Sequence, residues 1–102
     1  EIKQIKMFQL KKNFNTSYHQ FVIRTNHRKD LQKYLHSKKI QTMIHYPYML
    51  NELNFFKYKK KMINSHKLGD KILSLPISEE HNKKQILFIS KKIINFFKFK
   101  FN

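Results

Sequence analysis

The chain predicts a small α+β domain in which helices pack against one short sheet. Three observations carry that expectation. Apolar residues fall on both faces of a segment at Phe21, Val22 and Ile23, as in a central strand. Apolar residues then recur three and four apart from Leu31 and again from Ile86, the spacing of a one-sided helix. Between those stretches the pattern returns to extended segments at residues 40–46 and 73–76. The resulting order is strand, helix, strand, loop, helix, short strand, helix.

Residues 1–16 give no periodic signal. Ile5, Phe8 and Phe14 are scattered among lysines, as in a connecting arm that packs on something else. The first strand is expected at 18–25. Asn26 is the expected N-cap of the first helix, with Asp30 in the first turn, where a negative charge suits the helix dipole. Leu31, Tyr34 and Leu35 mark its buried face, and it should end near 37–39. From 40 to 46, Ile40, Thr42, Ile44 and Tyr46 lie on one side of a strand that Pro47 stops, because proline cannot donate to a ladder.

Residues 48–61 read as loop or irregular helix ending in a lysine run. A second helix is expected over 62–73, striped by Ser65, Leu68, Gly69 and Ile72. Gly69 is the sole glycine, and a helical glycine costs about 1 kcal/mol, so it points to a close approach. Asn82 followed by Gln85 forms a capping box for the last helix. Ile86, Ile89, Ile93, Phe96 and Phe97 are its expected inner stripe. The alternating tail at Phe97, Phe99 and Phe101 fits either a helix end or a further strand.

With 102 residues, 40% apolar and 15% aromatic, the chain has material for one core, and a disordered reading is disfavoured. No apolar run approaches the roughly 18–20 residues of a membrane span, and no signal-peptide segment opens the chain. The absence of cysteine removes disulfides and thiolate metal sites, and a cytoplasmic location is the expectation. The chain opens on Glu1 in mid-pattern, which we read as a piece of something longer.

The net charge of +16 suggests a polyanion partner. Yet Arg24 and Arg28 are the only arginines among 22 basic residues, and the lysines spread along the whole chain. Bidentate phosphate and base recognition favours arginine. Enrichment in Lys, Asn, Ile and Phe is also what an AT-rich coding sequence produces. The charge therefore implies non-specific, salt-sensitive affinity for nucleic acid. A basic α+β nucleic-acid-binding module stands as the alternative function.

Catalytic groupings are sparse. The acids Glu1, Asp30, Glu52, Asp70, Glu79 and Glu80 form no dyad pattern, and the six histidines lack metal-ligand spacing. No glycine-rich loop exists to hold a phosphate. A self-contained enzyme is not expected. One segment stands apart: His45-Tyr46-Pro47, at a strand end, where side chains enter whatever cleft that end faces. A rim histidine beside a core tyrosine is the plain alternative. The lysines at 57–61 read as a solvated face before a phosphate clamp, and Tyr18 with His19 reads as structural.

The ordered series Tyr18-His19-Gln20-Phe21-Val22-Ile23-Arg24-Thr25, Arg28, Leu31, Tyr34-Leu35, Ile40-Gln41-Thr42, Ile44-His45-Tyr46-Pro47, Lys67-Leu68 and Ile72-Leu73-Ser74-Leu75-Pro76-Ile77 resembles the C-terminal part of the DegT/DnrJ/EryC1/StrS sugar aminotransferases. The likeness covers about residues 17–97. It implies the small C-terminal domain of a fold-type I aminotransferase, with residues 1–16 as the arm from a large domain and 17–102 as the small domain.

It further implies a homodimeric parent that uses pyridoxal phosphate to aminate a nucleotide-linked keto-sugar, with glutamate as donor. His45 and Tyr46 match the family's His-Tyr-Pro and are the expected substrate-binding residues. The catalytic lysine and the other cofactor-holding residues belong to the large domain, so this chain alone is expected to bind no cofactor and to be inactive. Three departures stand out. Lys39 and Met43 replace glycines, and Asn51 stands where the family has a histidine.

Overall fold

The computed structural model describes residues 2–56, 60 and 62–101. Its elements run β1 (Lys6–Met7), β2 (Phe21–Arg24), α1 (Arg28–Ser37), a 3-10 turn (Leu50–Glu52), α2 (Ile63–Gly69), β3 (Ile72–Leu75) and α3 (Lys83–Phe101). The three strands form one antiparallel sheet in the order β1-β2-β3. The apolar run at Phe21, Val22 and Ile23 thus occupies the central strand, as its two-faced pattern predicts.

Ile23 and Leu73 are register partners, and both point into the core with Leu31 and Leu35 of α1 and Ile93, Phe96 and Phe97 of α3. Leu31, Leu35 and Leu73 are fully buried. At about 25 cal/mol per Å² of apolar area, each such leucine contributes roughly 1.5–3 kcal/mol. The structure also draws the arm inward. Met7 pairs with Ile23, and Ile2 and Ile5 pack on the core.

Helix α1 starts one residue later than expected. His27, not Asn26, is the N-cap, and it makes no side-chain cap; the Thr25 hydroxyl accepts the His27 amide at 3.2 Å instead. The helix closes at Lys39, whose φ is 60°. The Lys39 amide donates to the His36 carbonyl and the Ile40 amide to the Leu35 carbonyl, both at 2.9 Å. This is a Schellman closure, with Leu35 and Ile40 both buried as its apolar contact.

The strand expected over 40–46 does not form. Ile40 and Thr42 are buried and Ile44 is half-buried, so the alternation is present. Only Met43 pairs, through a two-bond bridge to Ser74 at the outer edge of β3. The Thr42 amide is diverted to the His36 ring at 3.3 Å, and Tyr46 is 69% exposed. The helix expected over 62–73 ends at Gly69, because Ile72 and Leu73 are taken by the ladder with Arg24 and Ile23.

The capping box is formed as read. The Asn82 amide donates to the Gln85 side chain at 2.9 Å, and the Gln85 amide donates to the Asn82 side chain at 3.0 Å. Within α3, Ile93, Phe96 and Phe97 are buried and Ile89 packs on the core, whereas Ile86 is 54% exposed. The tail is helix to Phe101, so the extra-strand option is excluded.

Candidate functional site

Pro47 ends the extended stretch, and the chain then turns through the 3-10 segment to face α2. Two contacts fix that loop. Glu52 accepts the Met49 amide at 2.8 Å and lies 3.5 Å from the His66 ring, while the other His66 ring nitrogen bonds the Met62 carbonyl at 2.8 Å. Gly69 supplies the close approach its presence suggested. A Cβ there would lie 2.6 Å from the Met49 methyl, so the neighbour is a loop side chain.

Between loop and helix lies a cleft of about 570 Å³. His45, Tyr46 and Tyr48 line one side, Asn51 and Phe56 another, and Ser65, Leu68 and Gly69 of α2 the floor. The structure thus brings both residues of the motif to one cavity. The His45-Tyr46 peptide is cis, and the two rings meet edge to face at 5.5 Å.

His45 Nδ1 lies 2.8 Å from the hydroxyl of Ser74, a buried residue of β3. This bond orients the imidazole and leaves Nε2 without a partner among the described residues. Ser74 was not legible as a site residue in the sequence. Its one signal is a small hydroxyl inside an otherwise apolar strand. Asn51 donates to the Lys60 carbonyl at 2.8 Å, but its buried Oδ1 has no partner among the described residues. A buried acceptor left unmet costs about 1–3 kcal/mol.

The other candidates lie elsewhere. Tyr18 is half exposed and stacks on Phe21 at 6.2 Å, outside this cleft. The lysine run at 57–61 lies outside the described residues except for Lys60. Among the described residues no three of His, Cys, Asp and Glu converge on a metal-sized space, and no helix is long and apolar enough to cross a membrane.

The DegT/DnrJ/EryC1/StrS aminotransferase family profile matches residues 1–94, and the chain belongs to that family. The match reaches back over the arm that carries β1. A curated relative, the pleiotropic regulatory protein of Geobacillus stearothermophilus, is 32% identical over 85 residues, covering 79% of this chain and 23% of its own length. A DegT DnrJ EryC1 StrS aminotransferase from Brucella abortus superposes with a TM-score of 0.85 at 22% identity, over 92% of this chain and 26% of that one. The structure of S. venezuelae DesV in complex with a ketimine intermediate gives 0.85 at 20% identity, over 93% and 27%. The two structures share the fold with this chain, which spans about a quarter of each relative.

The family is generally dependent on pyridoxal phosphate. That cofactor needs a lysine for its aldehyde and an acidic or basic partner for its ring nitrogen. Among the described residues, the His45 cleft is lined by neither lysine nor arginine nor acid. The described residues that line this cleft therefore do not fit the cofactor.

Proposed function

We propose that this chain is the small C-terminal domain of a pyridoxal-phosphate-dependent nucleotide-sugar aminotransferase, and that it shapes the substrate side of a site completed by a larger domain. In this reading the parent is a cytoplasmic homodimer that aminates a keto-sugar with glutamate as donor, and the 102-residue chain is inactive alone. The observation that carries the reading is the His45 ring, held by Ser74 at the wall of the cleft, with Nε2 unpartnered among the described residues. Tyr46, Tyr48 and Phe56 offer aromatic faces to an apolar ring. Exposed Met7 and Phe8 on the arm, lining a largely apolar cleft of about 820 Å³, support a further domain covering that side.

In the polypeptide that joins both domains, His45→Ala should raise KM for the sugar nucleotide or lower kcat by about tenfold or more, a loss of about 1.4 kcal/mol. Ser74→Ala, which releases the ring without removing it, should give a smaller change in the same parameter. Unchanged kinetics in His45→Ala would return the residue to a purely structural role.

A further inference from the structure

Lys6 and Arg24 face each other as register partners across the β1–β2 ladder. Like charges directly opposite destabilise a strand pair, and no ion pair among the described residues offsets this one. The cluster instead grows. Lys3, Lys67 and Lys71 join them around a pocket of about 330 Å³ beside Thr25 and Asn26. These five cations come from the arm, β1, β2, α2 and the α2–β3 turn, so the fold, not a local run, assembles them. None of the five makes an ion pair among the described residues. The paired acids are committed elsewhere, Asp30 to Lys100, Glu52 to His66 and Asp70 to Arg28.

A local rule broken without compensation among the described residues points to compensation by a ligand. We propose that this pocket binds a small anion carrying a di- or triphosphate group. Its size lies at the low end of small-ligand cavities, roughly 300–1,000 Å³. Its lining holds no aromatic residue, whereas single-stranded nucleic acid needs ring platforms for its bases. Lys67 projects from the side of α2 opposite Ser65, Leu68 and Gly69, so the pocket shares no lining residue with the His45 cleft. The proposal does not depend on the aminotransferase reading.

The test is a titration of inorganic tripolyphosphate into the isotopically labelled 102-residue chain, followed by amide NMR at about 150 mM salt, a concentration that screens diffuse surface charge. The expected shifts saturate at one equivalent and centre on Lys3, Lys6, Arg24, Asn26, Lys67 and Lys71. The exposed-residue variant Lys67→Ala/Lys71→Ala should weaken binding by about tenfold or more, about 1.4 kcal/mol, while Lys83→Ala/Lys84→Ala on α3 should leave it unchanged. Shifts spread equally over the α3 lysines, or equal weakening in both double variants, would overturn the proposal in favour of diffuse charge. Displacement of tripolyphosphate by single-stranded DNA of equal charge at the same salt would overturn it in favour of a nucleic-acid surface. The shift map of the unaltered chain decides the matter even where a variant is unstable.

Discussion

Lys39 holds a left-handed backbone, φ 60°, that the Schellman closure of α1 requires and that a side chain disfavours by about 1–2 kcal/mol. The family resemblance puts a glycine there, and the structure gives the physical reason. Lys39→Gly should therefore stabilise the chain by up to about 1 kcal/mol, read as a higher denaturation midpoint at unchanged m-value. A lower midpoint would mean that the lysine side chain does more than fill space. At this scale the sequence was partly readable. His45 and Tyr46 stood out because proline stops their segment, whereas Ser74 did not, since its contact with His45 spans 29 residues. Long-range partners leave no mark in local spacing.

Elements were legible where one periodicity acted alone. The central strand, the face of α1 and the capping box of α3 follow directly from spacing and cap chemistry. Errors arose where a pattern served two partners. Ser65, Leu68, Gly69 and Ile72 fit one helical stripe, yet the ladder with β2 takes the backbone from Ile72 onward. Ile40, Thr42 and Ile44 alternate properly, yet His36 intercepts the Thr42 amide and leaves one bridge in place of a strand.

The end of α3 is settled by tertiary contacts. Phe101 stacks on Phe97 at 5.9 Å and meets His27 at 4.6 Å, and Lys100 pairs with Asp30 on α1. The Lys100 ammonium, by hydrogen bond and charge, holds the Asp30 carboxyl below the usual carboxylate range. A depressed folded-state value contributes stability above the unfolded carboxylate pKa and loses it as pH falls through the folded value. Asp30→Asn should accordingly lower the melting temperature slightly at pH 7, with the difference fading at acid pH and at high salt. A deficit that persists at low pH would locate the effect in packing.

At the scale of the molecule, family and fold were readable from an ordered set of short motifs, none specific alone. The net charge of +16 was the loudest signal and the least informative taken whole. Only the fold divides it, into lysines spread over α3 and a converging group around Lys6 and Arg24. The same division governs chemistry. Among the described residues, the lining of the proposed substrate cleft at His45 lacks the lysine and the ring-nitrogen partner a pyridoxal cofactor requires. The central claim is that this chain shapes a substrate site without holding the cofactor. Its most direct test is to incubate the 102-residue chain with pyridoxal phosphate, reduce with borohydride and map the products by mass spectrometry. Sparse labelling scattered over many lysines is the predicted result; one stoichiometric adduct on a single lysine would contradict it.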